Sequence, residues 1–148
     1  MTIAFGSDHA AYELKHELIR QCEARGWKVL SFGAEGPEAR DYPDVAKEVV
    51  EALRNREADL AVLCCGTGIG MSIAANRYDG IRAALCCTPE MARLARNHNR
   101  ANVLCLGGRT VDVETNRAIL NAFLETEPSH EERHLRRIMK IDSNSRKT

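Results

Sequence analysis

Short apolar runs alternate along the chain with longer segments whose apolar residues recur every three or four positions. The runs have the length and β-branched content of buried strands, and they cover residues 3–6, 29–33, 60–65, 83–87 and 103–107. The longer segments have the spacing of amphipathic helices, with apolar stripes at Leu14, Leu18, Ile19 and Cys22 and then at Val45, Val49, Val50 and Leu53. Alternating strands and helices predict a parallel sheet covered by helices on both faces.

Glycine and proline mark where the predicted helices begin and end. Gly26 follows the first stripe, Pro43 opens the second helix in its first turn, and Pro89 opens another helix that runs to about Asn99. These positions suit the two residue types, since the fixed φ of proline fits a first helical turn and glycine readily adopts the conformation that ends a helix.

The C-terminal third adds helices but no further strand. The pattern predicts a helix over about 113–125, a break at Pro128 and a last helix from His130 to about 141, and residues 143–148 are expected to fray. We therefore predict one domain over residues 1–148, a three-layer α/β/α Rossmann-like domain with a five-stranded parallel sheet and a C-terminal helix. The predicted strand order is 2-1-3-4-5, with Cys65 at the switch point between strands one and three.

Composition and charge narrow the class of partner and the cellular setting. Lys and Arg number 21, as do Asp and Glu, so the formal net charge is zero and a nucleic-acid or membrane partner is not expected. No apolar run approaches the roughly 20 residues of a bilayer span, and the first residues lack the pattern of a secretion signal. The six cysteines show no C-x-x-C spacing, so reduced thiols and a cytoplasmic location are expected.

The loops after the strands carry the candidate chemistry, because ligands bind beyond the carboxyl ends of the strands in such a sheet. The strongest signal is Cys65-Gly66-Thr67-Gly68-Ile69-Gly70, between an apolar strand and a helix. Its glycines let several N–H groups point at one place, and the helix N-terminus adds positive partial charge, which predicts an anion-binding loop. The segment lacks the Gly-Lys-Ser/Thr of a nucleotide-binding P-loop, and it is not in the first strand–helix turn where a dinucleotide fingerprint belongs.

Cys65 is the candidate reactive group of this loop. A helix N-terminus favours the thiolate of a nearby cysteine, which can then act as a base or a nucleophile. The alternative is a small residue that fills the end of the strand, as Cys64 is expected to do. A disulfide between the two is not expected, because adjacent strand residues point to opposite faces.

Acidic residues and histidines in other loops each have a catalytic and a structural interpretation. Asp8 and His9 follow the first strand, where histidine suits proton transfer near neutral pH, but an aspartate there can equally cap the next helix. Asp41 has the same ambiguity, as a turn or cap residue. His98, at the end of the fourth helix, is either catalytic or a partner of the helix C-terminus.

Three arginines could together bind a phosphate. Arg133 and Arg137 are four residues apart and share a helical face, and Arg109 follows the fifth strand. The alternative is an ordinary solvated basic face, since Arg136 and Lys140 lie beside them.

The combination of segments resembles one known family. The segments that carry the resemblance are Gly6-Ser7-Asp8-His9, Asp41-Tyr42-Pro43, Cys65 to Gly70, Ser72-Ile73-Ala74-Ala75-Asn76, Gly80-Ile81-Arg82-Ala83, His98-Asn99, Asn102-Val103, Gly107-Gly108-Arg109, and Arg133-His134 with Arg137. Together they closely resemble the type B ribose-5-phosphate isomerases over about residues 3–141. That group lies in the sugar-phosphate isomerase family that also contains the galactose-6-phosphate isomerase subunits.

The resemblance implies an aldose–ketose isomerase that interconverts ribose 5-phosphate and ribulose 5-phosphate without a metal or an organic cofactor. It implies that Cys65 removes the proton on C2 and returns it to C1. The N–H groups from Gly66 to Gly70 would then stabilise the negative charge that develops on oxygen in the enediolate.

The same resemblance implies roles for the remaining candidates. Thr67 would move a proton between the two oxygens, His98 would be the acid that opens the furanose ring, and Asp8 would contact the sugar hydroxyls. Tyr42 and Asn99 would also contact the substrate. The residues that would hold the phosphate are His9, Arg109, Arg133 and Arg137. The resemblance further implies a homodimer that shares its sites, with His98 and Asn99 supplied by the second subunit, and leaves a tetramer open.

The chain departs from the usual family pattern at three places. Arg100 stands where an acidic residue commonly follows His98-Asn99, and Ser129-His130-Glu131-Glu132 replaces a glycine-rich stretch. Met71 stands where some members have a glutamate base, which leaves Cys65 as the candidate base of the loop. The first two departures motivate an alternative substrate such as a tetrose 4-phosphate, allose 6-phosphate or galactose 6-phosphate. A non-catalytic sugar-phosphate sensor is a second alternative. The presence of both Cys65 and His98 argues against it, because a sensor would be expected to have lost the base or the ring-opening acid.

Overall fold

The computed structural model describes residues 1–144, in which five strands and six helices alternate along the chain. The strands are β1 Thr2–Ser7, β2 Lys28–Gly33, β3 Leu60–Cys65, β4 Ala83–Leu85 and β5 Val103–Gly107. The helices are α1 Tyr12–Glu23, α2 Tyr42–Arg54, α3 Ile69–Ala75, α4 Pro89–Asn99, α5 Val113–Glu125 and α6 Glu132–Asn144. Every strand pair is parallel, so the predicted α/β class with a five-stranded parallel sheet is confirmed.

The strand order is β2-β1-β3-β5-β4, so the predicted order 2-1-3-4-5 is wrong at its last two places. All five residues of β5 are buried, whereas all three residues of β4 are partly exposed. The longer apolar strand takes the interior place beside β3, and the short strand is left at the edge. Because β1 and β3 remain neighbours, the switch point still lies beside Cys65.

The edge strand β4 is shorter than predicted, and a side chain covers its start. Residues 86 and 87 lie outside the strand, and Thr88 caps α4 by accepting a hydrogen bond from the N–H of Met91. Asn76 Nδ2 donates to the carbonyl of Ala83 at 2.9 Å, and the N–H of Ala83 donates to Asn76 Oδ1 at 2.8 Å. Asn76 thus supplies hydrogen-bond partners that an edge strand otherwise lacks.

Two apolar layers enclose the sheet. Helices α1, α4 and α5 pack on one face against side chains such as Phe5 and Leu104, and α2 and α3 pack on the other against Ala4 and Leu63. Helix α6 lies outside these layers and packs on α4. Within residues 1–144, none of the helices has the length and apolar character that crossing a bilayer would require.

Helix bounds follow the sequence prediction closely except at α6. Helices α4 and α5 span the predicted residues, but α6 begins at Glu132 and continues to Asn144. Residues 143 and 144, which were expected to fray, are the last two residues of this helix, and residues 145–148 lie outside the described part. The last turn is anchored because Arg82 Nη1 pairs with Asp142 Oδ1 at 2.9 Å and Ser143 Oγ donates to the carbonyl of Lys140.

Candidate active site

Four loops meet at the carboxyl edge of the sheet, namely those after β1, β2, β3 and β5, which are neighbouring strands. Backbone hydrogen bonds join the last two: the N–H of Gly108 donates to the carbonyl of Cys65 and the N–H of Arg109 to that of Gly66, both at 2.9 Å. The loops therefore form one continuous floor, with Cys65 beneath it.

Cys65 is the last residue of β3, and 5 % of its surface is exposed. The N–H of Gly68 donates to Cys65 Sγ at 3.1 Å. A charged sulfur accepts such a bond more strongly than a neutral thiol, so the loop is suited to hold a thiolate. Cys64 differs, since it lies in the apolar layer on the opposite face and burial there raises the pKa of its thiol.

Two glycines allow the loop after β3 to pack closely against Leu85 and Tyr42. Gly68 has a φ of +80°, and a Cβ there would lie 2.6 Å from Leu85 Cδ1. A Cβ on Gly70 would lie 2.7 Å from ring atoms of Tyr42, so the tyrosine ring lies directly against the first turn of α3. Glycine at both positions lets the loop close over the sulfur with Tyr42 at its border.

Part of the predicted anion-binding loop is occupied by the loop's own side chains. The N–H of Gly68 is directed at Cys65 Sγ, and the N–H of Ile69 donates to Thr67 Oγ1 at 3.1 Å. Because Thr67 Oγ1 accepts this bond, its hydroxyl proton is left to be donated elsewhere.

Asp8 and His9 lie on the same floor and are held by local hydrogen bonds. Asp8 is buried, and its Oδ1 accepts from the N–H of Ala10 at 3.0 Å, so it stabilises the turn into α1 without capping the helix. The N–H of Arg40 donates to His9 Nδ1 at 3.3 Å, which leaves Nε2 as the nitrogen that can donate to a ligand.

Arg109 supplies an uncompensated positive charge beside the glycine loop. Its side chain runs past Gly66, where a Cβ would lie 3.5 Å from Arg109 Cδ. Among residues 1–144 its guanidinium has neither a carboxylate partner nor a hydrogen bond. A groove of about 700 Å³ opens here between His9 and Arg109 and continues along the start of α1. An unpaired guanidinium in a groove is suited to an anionic ligand.

His98, Asn99, Arg133 and Arg137 lie at the opposite edge of the sheet. Helix α4 runs back against the strands, so its end lies near the amino end of β5, and α6 packs there on α4. At about 3.3 Å per residue, the five residues of β5 span roughly 13 Å between this edge and the floor around Cys65. One chain therefore does not bring these four residues to Cys65.

The predicted site residues thus form two groups within one chain. The group at the carboxyl edge is Asp8, His9, Tyr42, Cys65, Gly66, Thr67, Gly68, Ile69, Gly70 and Arg109. In the second group, Arg133 Nε pairs with Glu131 Oε2 at 2.8 Å, and His98 stacks on His134. Across residues 1–144, no three His, Cys, Asp or Glu side chains are grouped so that they could hold a metal ion.

Sequence reasoning missed Lys15, which is fully buried. Its Nζ donates to the carbonyl of Phe32 at 2.9 Å and pairs with Glu35 Oε1 at 3.1 Å, which ties α1 to the loop that leads to Tyr42. A signal was present: Lys15 lies three residues before Leu18, on the apolar stripe of α1, where a charged residue requires a buried partner.

The chain is similar to known sugar-phosphate isomerases over most of its length. The Ribose/Galactose Isomerase family profile matches residues 3–141. Ribose-5-phosphate isomerase B of Escherichia coli strain K12 is 45% identical over 122 residues, 82% of each chain. D-erythrulose-4-phosphate isomerase of Pectobacterium atrosepticum is 38% identical over 128 residues, 86% of this chain and 84% of its own. The solved structure of ribose-5-phosphate isomerase B from Clostridium thermocellum matches with a TM-score of 0.96 at 44% identity, covering 99% of both chains.

The matched residues include both groups of site residues and every strand after the first residue of β1. The resemblance seen in the sequence motifs is confirmed by the profile, by the identity to curated relatives and by the fold. The chain therefore belongs to the ribose/galactose isomerase family and is a sugar-phosphate isomerase.

Proposed function

We propose that this sugar-phosphate isomerase interconverts ribose 5-phosphate and ribulose 5-phosphate, with Cys65 as the base. The observation that carries the proposal is the hydrogen bond from the Gly68 N–H to Cys65 Sγ, beside the guanidinium of Arg109, which has no carboxylate partner within residues 1–144. A base and an anion-binding group lie on one floor, as a phosphorylated sugar requires. The name of the Escherichia coli relative supports the choice of ribose 5-phosphate.

The proposed reaction moves protons and keeps the oxidation state of the molecule as a whole unchanged. His98 donates a proton to the ring oxygen while the C1 hydroxyl releases its proton to solvent, so the furanose ring opens to the aldehyde. The Cys65 thiolate then takes the proton from C2. The electrons of that C–H bond form the C1–C2 double bond of an enediolate, whose oxygen charge is stabilised by loop N–H groups. Thr67 passes a proton between the two oxygens, and the Cys65 thiol returns its proton to C1, which leaves the carbonyl at C2.

The remaining contacts hold the substrate in place. Asp8, Tyr42 and Asn99 contact the sugar. The phosphate is held by His9 and Arg109 on one side and by Arg133 and Arg137 on the other. His9 contributes Nε2–H, because its Nδ1 accepts from the backbone of Arg40.

The separation of the two groups of residues supports a homodimer with shared sites. His98, Asn99, Arg133 and Arg137 of one copy complete the site around Cys65 of the other. An apolar surface is available for the second copy beside the glycine loop, where Ile69 and Ile73, one turn apart on α3, are 51% and 62% exposed. Exposed apolar pairs of this kind are typical of interfaces.

Replacing Cys65 by alanine tests the base. Cys65→Ala should lower kcat by about a thousandfold, since a positioned base contributes roughly 10²–10⁴ in rate. The matched control is Cys64→Ala, one residue away on the opposite face, which should keep kcat within about threefold while costing about 1–2 kcal/mol of unfolding free energy. A folded Cys65→Ala protein that retains most of its turnover would sink the proposal.

Mixed dimers test the shared site. Cys65→Ala and His98→Ala homodimers should each be nearly inactive. Co-expressed in equal amounts, they should regain about one quarter of the wild-type sites, since half of the dimers are mixed and each mixed dimer has one intact site. Recovery of less than a few per cent, with mixed dimers verified by two affinity tags, would place His98 and Cys65 in the same chain's site and contradict the proposal.

A tetrose phosphate is the second candidate substrate, because the Pectobacterium atrosepticum relative is named a D-erythrulose-4-phosphate isomerase. The departure from the family pattern at Arg100 gives little support to a tetrose phosphate. Arg100 Nη2 donates to the carbonyl of Ser129 at 3.4 Å and contacts His130 Nδ1 at 3.3 Å. The guanidinium is therefore engaged within its own chain. Values of kcat/KM for ribose 5-phosphate, erythrose 4-phosphate and allose 6-phosphate decide between them, and we expect ribose 5-phosphate to lead by about tenfold or more.

A further inference from the structure

Two imidazole rings lie face to face between α4 and α6. The rings of His98 and His134 have centroids 4.1 Å apart and an interplanar angle of 13°. His134 is 5% exposed, whereas His98 is only partly buried. Both rings belong to the same chain, so the stack exists before a second copy is added.

The buried ring has no polar partner at one of its nitrogens. His134 Nε2 is fully enclosed and makes no hydrogen bond to any residue of the described chain. A buried nitrogen without a partner carries a positive charge only at high cost in free energy. His134 is therefore suited to be a flat neutral platform, and the more exposed ring of His98 is the better place for a proton.

The charges around the pair oppose a second proton. The charged groups that act on the two rings are Arg133 and Arg137 of α6, Glu131 before it, and Glu90 of α4. Burial lowers the pKa of His134, and the charges of His98 and the two arginines lower it further against the opposing effect of Glu131. Two imidazolium rings in contact also repel each other, so a second proton on the stacked pair is disfavoured.

We propose that His134 is a positioning residue that fixes the plane of the His98 imidazole and leaves the single proton of the pair on His98. The role of His98 as the acid that opens the sugar ring rests on the proposed function above. On that basis each chain offers its partner a protonated ring that is already oriented. Orientation before the substrate arrives reduces the cost of reaching the reactive geometry.

Ring titration by NMR tests the pair without reference to activity. In the full-length wild-type protein, His134 should stay neutral over the pH range in which His98 takes up its proton. In His98→Asn, the His134 pKa should rise because the like charge is gone. Protonation of His134 before His98 in the wild type would overturn the proposal. An unchanged titration of His134 in His98→Asn would overturn it too.

Kinetics test the positioning. His134→Ala should lower kcat by about tenfold with KM within about twofold, and His134→Phe, which keeps a flat ring, should restore kcat to within about threefold. The matched control is Ile138→Ala, one turn later on the same buried face of α6, which should lower Tm and leave kcat unchanged. A full kcat in His134→Ala, or a loss that appears in KM alone through displaced Arg133 and Arg137, would overturn the proposal.

The NMR titration and the kinetic measurements also distinguish failure of this proposal from failure of the proposed function. If the wild-type protein turns over none of the sugar phosphates, the proposed function fails while the NMR titration still decides whether His98 carries the proton of the pair. If the wild type is active and the His134 variants behave like Ile138→Ala, the isomerase assignment stands and the positioning role is wrong.

Discussion

Two adjacent cysteines of β3 lie in different chemical environments. Cys64 and Cys65 are adjacent on β3 but face opposite layers, one apolar and one beneath the glycine loop. Burial also raises the pKa of Cys22 to about 11 and that of Cys86 to about 12, which suppresses their thiolates at neutral pH. Because the thiolate is the reactive form, burial disfavours reaction at Cys22, Cys64 and Cys86, whereas Cys65 Sγ accepts a hydrogen bond within the glycine loop.

Gly68 offers a test of how tightly the glycine loop must close. Gly68 and Gly80 have nearly the same φ, +80° and +81°, but a Cβ at Gly80 would meet nothing within 4 Å. Both alanine variants incur the cost of a left-handed backbone, about 1 kcal/mol. Gly68→Ala also forces Leu85 or the loop to move, so we expect at least about 1 kcal/mol more loss of stability and a fall in kcat/KM of about tenfold or more.

Urea denaturation and steady-state kinetics on the two variants measure these effects. Gly80→Ala should retain wild-type kcat/KM. Equal kinetics for the two variants would show that closure of the loop over Cys65 does not matter for the reaction.

Among the elements, α1 and α2 end in the same way with different residues. In the turn that follows each helix, one residue has a positive φ. This residue and the next one donate their N–H groups to carbonyls of the last helical turn. That residue is Gly26 after α1 and Arg56, with a φ of 61°, after α2. The motif favours glycine, so Arg56 occupies a conformation that disfavours its Cβ.

Replacing Arg56 by glycine should stabilise the fold. Arg56 is exposed and its side chain makes no ion pair or hydrogen bond within residues 1–144, so Arg56→Gly loses no such interaction there and should gain about 0.5–1 kcal/mol of unfolding free energy. The reciprocal change Gly26→Ala should cost about 1 kcal/mol. Both are measured by urea denaturation, and a destabilised Arg56→Gly protein would contradict this account of the helix end.

At the scale of the whole molecule, one ion-pair network connects α1, β2 and the loop that leads into the site. Glu35 Oε2 accepts from His16 at 2.8 Å, and Glu35 Oε1 lies 3.1 Å from the buried Lys15 and from Ser31 Oγ. The hydrogen bond with His16 is the main reason that the pKa of Glu35 falls to about 2, with Lys15 and Ser31 acting in the same direction.

This lowered pKa predicts an acid-dependent loss of stability. A carboxyl whose pKa is lower in the folded chain stabilises it above the unfolded pKa of about 4.3, and that contribution disappears as pH falls toward about 2. Wild type should therefore exceed Glu35→Gln in unfolding free energy at pH 6–7, and the difference should shrink between about pH 5 and 2. Because 64% of the Glu35 side chain is exposed, solvent screening limits the difference to about 0.5–1 kcal/mol.

The control is Glu38→Gln, an exposed carboxylate in the same loop with no ion pair in the described part of the chain. Its unfolding free energy should follow the wild-type pH dependence. If Glu35→Gln does so as well, the network does not contribute to stability.

The local order of the elements could be predicted from the sequence because it depends on neighbouring residues. The spacing of apolar residues and the positions of Pro89 and Pro128 set the helices α4 and α5 nearly to the residue. The glycine loop after β3, with Cys65 before it, was likewise visible, since turn chemistry and the type of reactive side chain are local properties.

What only the tertiary structure decided depends on competition and contact between distant segments. The place of β5 beside β3 follows from which of two strands buries more apolar surface there, and no local pattern ranks them. The burial of Lys15, the bond from Gly68 to Cys65 Sγ and the stack of His98 on His134 each arise only once the helices have packed. The sequence by itself determined which chemical groups the protein has and the elements that carry them, whereas packing decided which groups share an edge of the sheet, because that distance depends on every element between them.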